Sequence, residues 1–194
     1  MLSKKKHQAM KNNPCPDSVA PSAAPAGGGG LPLPELLIDS REKKPLAFEH
    51  LPARVCTLRT GDYSVAGLDS RFTVERKSVS DLVATLSQRR GLFMAELERM
   101  LSHEFRRLLV IGTWEELRDV LSRRRITLAS VLGSLASIDA RGVPVVWVES
   151  PDMAAARIES WAWYYHAGLS RAITGKHFTA PAWARDVMQG IKTA

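Results

Sequence analysis

A chain of 194 residues with a formal charge of +7 and an isoelectric point near 9.7 has room for one domain with tails, and its charge favours a polyanionic partner. Two cysteines, Cys15 and Cys56, and five scattered histidines exclude a disulfide framework and offer no zinc-ligand spacing. No apolar run reaches membrane-span length and no secretory apolar segment follows the basic N-terminus, so a chain confined to a reducing cytoplasm is expected.

Residues 1–34 carry Lys4-Lys5-Lys6, four prolines between Pro14 and Pro25, and the run Gly27 to Gly30. This composition cannot bury enough apolar surface to order itself and reads as a flexible tail, either solubilising or weakly attractive to phosphates. Leu36-Leu37-Ile38-Asp39 reads as a first strand ending in an acid, which is either a turn residue or part of a site. Arg54 to Leu58 forms a second apolar run that leads into the Gly61-Asp62 turn. Turn signals at Gly61-Asp62 and from Gly67 to Ser70 bracket Tyr63 to Ala66, a hairpin arm that carries Asp62 back toward Glu75.

Residues 71–76 predict the strand that bears the chemistry. Alternation puts Phe72, Val74 and Arg76 on one face, and Thr73, Glu75 and Lys77 on the other. Two converging carboxylates, Asp62 and Glu75, suit a Mg²⁺ ion, which takes hard oxygen ligands, and Lys77 beside them is placed to orient or deprotonate water. The plainer alternative for the same residues is a solvated edge strand running into a capped helix.

Ser78-Val79-Ser80-Asp81 matches a capping box, with Val79, Leu82, Val83 and Leu86 at helical spacing behind it. As an N3 cap, Asp81 contributes about 1 kcal/mol. After Arg89-Arg90-Gly91 a second helical pattern places Leu92, Phe93, Leu97, Met100 and Leu101 on one side, with Glu96, Glu98 and Arg99 elsewhere. Arg107 to Gly112 predicts a buried strand, and Thr113-Trp114-Glu115-Glu116 a capping-box helix start. Arg123-Arg124-Arg125 follows, as a solvated loop or a DNA contact, before a helix over Leu128–Ala140. Residues 142–149 predict the last strand, and Ser150-Pro151 opens a long helix whose stripe is Ile158, Trp161, Tyr165 and Leu169. Trp163 and Tyr164 lie off that stripe, as interface aromatics do, and Trp183–Met188 predicts one short helix in the C-terminal stretch. The alternation of strands and helices argues for an α/β sandwich.

Gly61-Asp62, a spacer, Glu75-Arg76-Lys77, three residues and Asp81, together with Asp39-Ser40-Arg41-Glu42, resemble the signature of the XPF-type structure-specific endonucleases, whose ERCC4 domain has the restriction-endonuclease-like PD-(D/E)xK fold. The resemblance implies a central mixed sheet flanked by helices over residues 35–169, with a short extension over residues 170–194. It implies a Mg²⁺- or Mn²⁺-dependent DNA endonuclease leaving 5′-phosphate and 3′-hydroxyl ends, with Asp39, Asp62 and Glu75 as metal ligands helped by the Arg76 carbonyl. On the same footing Lys77 activates water, Arg41 and Arg76 bind the substrate phosphate, and Asp81 steadies the basic groups. Family members carry a phosphate-clamping arginine between the two helices; the order Arg-Arg-Gly-Leu here makes it Arg90 or Arg89. DNA is the implied partner and a homodimer the implied assembly. The alternative within the family is a noncatalytic DNA-binding subunit, although such subunits lose acids that this chain retains. No helicase phosphate-loop motif occurs, and the extension is too short for a helix-hairpin-helix module, so the chain resembles the compact versions in bacteria and their phages.

Overall fold

The structure, a computed structural model, describes residues 30–186. A six-stranded sheet is built from β1 (Leu36–Asp39), β2 (Ala53–Cys56), β3 (Tyr63–Val65), β4 (Phe72–Ser78), β5 (Phe105–Ile111) and β6 (Val145–Val148), in the order β2-β1-β3-β4-β5-β6. The sheet is mixed because its connections differ in length. The tight turn around Gly67 joins β3 and β4 as an antiparallel pair, and β3 also runs antiparallel to β1; β1 pairs in parallel with β2, and helical crossovers make the β4–β5 and β5–β6 pairs parallel.

The crossover helices are α1 (Val79–Gln88), α2 (Arg90–Met100), α3 (Trp114–Ser122) and α4 (Leu128–Ala140), followed by α5 (Pro151–Thr174) and the short α6 (Ala182–Asp186). On one face of the sheet, α1 to α4 enclose Leu82, Val83, Phe93, Leu108, Val110, Leu117 and Ile138. On the other, α5 covers Ile38, Tyr63, Phe72, Val74 and Leu109 through Ile158 and Ala162. Phe72 stacks on Phe105 there, and Trp161 and Tyr165 of α5 close over the Phe105 ring. With a helical layer on each side, the β5 run Leu108–Ile111 is buried throughout, as a continuous apolar strand between two layers must be.

Helix starts follow the sequence closely. Ser78, Thr113, Thr127 and Ser150 each accept an N–H from the third helical residue. Thr113 and Glu116 form the full reciprocal box. At Ser78 the expected box is altered: the Asp81 carboxylate takes the Ser78 hydroxyl proton at 2.7 Å, and the cap is one-sided.

Three other expectations change. The buried stripe of α2 is Phe93, Leu97 and Met100, leaving Leu92 75% exposed and Leu101 at the surface. Trp163 is buried, packed among Leu31, Phe178 and Ala184, so its partner is the chain's own ends and only Tyr164 keeps an exposed ring. The expected tail and extension are likewise not wholly apart from the fold. Leu31 joins that cluster, α5 continues unbroken to Thr174 before Gly175 turns at φ 70°, and the Ser160 hydroxyl donates to the Ala184 carbonyl at 2.9 Å. Residues 1–29 and the end of the expected Trp183–Met188 helix lie outside the described residues. No helix among the described residues is long and apolar enough to cross a membrane.

Candidate active site

Gly61 has φ 74°, and a Cβ there would press on the Thr73 hydroxyl and come within 3.0 Å of the Val74 carbonyl, so only glycine lets this turn lie against β4. The next N–H, that of Asp62, donates to the Val74 carbonyl at 2.9 Å, while Tyr63 is the residue that faces Val74 in the ladder. Two consecutive residues therefore sit against one, the count of a β-bulge, a device that re-aims side chains. Asp62 Oδ2 then accepts the Arg76 N–H at 2.8 Å, which fixes the carboxylate alongside Glu75.

Glu75 and Lys77 share a face of β4 with their in-register neighbours Leu108 and Val110, so both rise from the apolar layer beneath α1 to α4. Glu75 is 3% exposed. Its Oε1 accepts from Lys77 Nζ at 3.0 Å, and the same ammonium lies 5.0 Å from the centre of the Phe93 ring on α2. Burial, reinforced by the Asp62 charge, pushes the Glu75 carboxyl up to about 8. Burial also pushes Asp62 up to about 6, against the Arg76 N–H and with the Glu42 charge adding to the rise. Burial works against the Lys77 ammonium too, but the charge and hydrogen bond of Glu75 outweigh it and hold its pKa above the ordinary lysine value.

Asp39 is buried on β1, and its backbone N–H donates to the Asp62 carbonyl at 2.8 Å, yet its side chain serves a different purpose. Oδ1 accepts from the Arg41 N–H at 2.6 Å and Nε at 2.8 Å; Oδ2 accepts from Arg41 Nη2 at 2.8 Å and the Leu58 N–H at 3.0 Å. Among the described residues no three His, Cys, Asp or Glu side chains converge as an ion-binding group, so the expected set of three carboxylates is not assembled. The reason is local: both Asp39 oxygens are already saturated. What they hold is Arg41, whose side chain remains 68% exposed although its fork is fixed at Asp39 and at the Leu58 carbonyl.

These positions fall inside a family match. The ERCC4 domain model matches residues 38–160. The chain belongs to the ERCC4 domain family. Among solved structures, XPF from Aeropyrum pernix is similar at 23% identity and a TM-score of 0.56, over 76% of this chain and 66% of that one. That likeness is one of fold, the restriction-endonuclease-like α/β sandwich. A comparison with the curated proteins gave no match.

In this ERCC4 domain the remaining motif residues are distributed unequally around the centre. Arg76 points to the opposite side of β4 from Glu75 and gives Nε and Nη2 to the Glu42 carboxylate at 2.9 and 3.0 Å, both side chains being largely buried. Its guanidinium clamps the loop that carries Arg41, while its backbone N–H serves Asp62. Asp81 is exposed at the start of α1, where its side chain and N–H both bond to the Ser78 hydroxyl. Arg90 Nη1 donates to the Ser134 hydroxyl on α4, whereas Arg89 is exposed at the C-terminus of α1. Arg123 pairs with Asp119 at 2.7 Å, and Arg124 and Arg125 are exposed beyond α3.

Two residues without an assigned role in the sequence reading also belong to the site. Glu42 anchors Arg76, and Glu96 is half-buried on α2, close enough for its charge to act on Arg41, Glu75 and Lys77. The signal for Glu96 was its position three residues after Phe93, which places both on one helix face.

The donor set fits a hard divalent cation. Asp62 Oδ1 and Glu75 Oε2 take none of the hydrogen bonds described, and two neighbouring buried carboxylates are oxygen donors of the kind such an ion prefers.

Proposed function

We propose that this ERCC4 domain is a divalent-metal-dependent endonuclease that hydrolyses phosphodiester bonds in branched or otherwise structured DNA. The observation that carries the reading is the buried Asp62–Glu75 pair with Lys77 Nζ 3.0 Å from Glu75, standing at the rim of an apolar layer.

Asp62 and Glu75 would hold Mg²⁺ or Mn²⁺ through their carboxylates. When bound, the ion supplies Lewis acidity toward phosphoryl oxygens and toward water. Lys77 orients the attacking water in line with the scissile bond and donates to the developing phosphoryl charge. Arg41, pre-positioned by Asp39, grips the DNA phosphate from the mouth of the site, a geometry suited to a planar guanidinium. Asp39 is accordingly a positioning residue in this scheme, and Arg76 a clamp on the Arg41 loop. Cleavage on this chemistry leaves 5′-phosphate and 3′-hydroxyl ends. The net positive charge of the chain assists DNA approach, with Arg89, Arg90, Arg124 and Arg125 as further phosphate contacts. Residues 35–169 form the catalytic unit, a homodimer is its proposed assembly, and DNA repair, recombination or phage DNA processing in the cytoplasm its setting.

Labelled flap, fork, four-way junction and linear duplex DNAs, with a matched RNA duplex, test this in Mg²⁺, Mn²⁺ or EDTA. Metal-dependent cutting of a branched DNA, with 5′-phosphate product ends, is expected. Tight binding of these DNAs without a cut in any of them would overturn the enzyme reading in favour of a noncatalytic DNA-binding subunit.

A further inference from the structure

Lys77 has a positional problem once its partner is engaged. In the structure the ammonium is tied to Glu75 Oε1, and its side chain is only 18% exposed. A cation shared by Glu75 and Asp62 draws on the same carboxylate and repels the lysine from it. An ammonium released in this way has a flexible four-carbon stem and gains conformational freedom by leaving.

We infer that Glu96, one helical turn beyond Phe93 on α2, is the positioning residue that retains Lys77 at the reaction centre when Glu75 is engaged. The inference rests on the nuclease reading above. Phe93 is buried on α2, and its ring lies 5.0 Å from the Lys77 nitrogen, so this face of the helix is packed against the lysine. A ring face attracts a cation but offers it no directional hydrogen bond. Positions i and i+3 share a helix face, which brings Glu96 to the same side as that ring. Glu96 is half-buried and enters no ion pair among the described residues. Its charge is felt at Lys77, at Glu75 and at Arg41, which locates it among the groups around the mouth. A Lys77 ammonium that moves from Glu75 toward Glu96 keeps a carboxylate partner and stays above the Phe93 ring.

The test compares wild type, Glu96→Gln and Glu96→Asp on the DNA that the wild type cuts. Glu96→Gln should lower kcat about 10- to 100-fold, the scale of a misplaced catalytic group, with the KM for DNA and the melting temperature unchanged. Glu96→Asp, which keeps the charge, should recover part of the loss. An independent readout is the ¹⁵N signal of the Lys77 ammonium, assigned with Lys77→Arg, in Mg²⁺-saturated protein without DNA: sharp in wild type, and broadened by solvent exchange in Glu96→Gln. Wild-type kcat in Glu96→Gln, or equal losses in Gln and Asp variants that track a lowered melting temperature, would overturn the inference. A wild type that cuts no DNA is a different result and removes the nuclease reading itself.

Discussion

Glu75→Gln should reduce DNA cleavage at least about a thousandfold while leaving DNA binding in place, because it removes a charge that acts on the reacting centre and not on the bulk of the duplex. The substitution is nearly isosteric, and the glutamine carbonyl can still accept from Lys77. It also relieves stress: burial and the Asp62 charge already push the Glu75 carboxyl up to about 8, so the folded state does not hold its ionised form comfortably. The variant should therefore unfold in EDTA at a temperature equal to or above that of the wild type. Gel-based cleavage, a DNA-binding titration and thermal unfolding separate the three effects. Retained cleavage, or a loss of cleavage that follows a loss of folding, would count against the assigned role.

The second large effect is on stability against pH with the metal removed. The folded-state values of Glu75 and Asp62, about 8 and about 6, lie above their ordinary values of 4.5 and 3.8. Between those limits the folded protein binds more protons than the unfolded chain, so the slope of unfolding free energy with pH is negative. The stability these two groups contribute is complete below about pH 4 and is lost as the pH rises through 6 and then 8. Asp39 and Glu42 act oppositely. Burial raises both, but hydrogen bonds from Arg41 and Arg76 outweigh it and hold them below the ordinary range, so their contribution is lost as pH falls through those lowered values. Denaturant unfolding in EDTA should consequently show a stability falling by a few kcal/mol between pH 5 and pH 8.5. Saturating Mn²⁺ should restore it at the upper pH, since an ion that binds only the folded site stabilises by mass action. A flat or rising profile in EDTA, or no response to Mn²⁺, would contradict a desolvated two-carboxylate centre.

Much of this was legible from residue order. Alternation along residues 72–77 separated Phe72 and Val74 from Glu75 and Lys77, and the sheet keeps that division because each face is covered by its own helical layer. The same alternation had already placed Arg76 opposite Glu75, and its partner there, Glu42, is 34 residues away and has no local signature. Asp39 shows the reverse case: a bond between residues two apart, visible as Asp-x-Arg in the sequence, commits the acid before it can join a site across the sheet. Glu96 was obscured because Leu92 and Leu101 widened the apparent apolar stripe of α2, and only the packed stripe of Phe93, Leu97 and Met100 sets the rotation of that helix. Trp163 resembled an interface residue because the segments that cover it, around Leu31 and Ala184, lie far from it in sequence.

The most direct measurement is diffraction from crystals soaked in Mn²⁺, with the ion located by its anomalous signal in wild type and in Glu75→Gln. A peak between the Asp62 and Glu75 carboxylates is expected in wild type, and its loss in the variant. A protein that cuts DNA with Mn²⁺ while its ion sits elsewhere, or one whose ion is unmoved by Glu75→Gln, would contradict that placement.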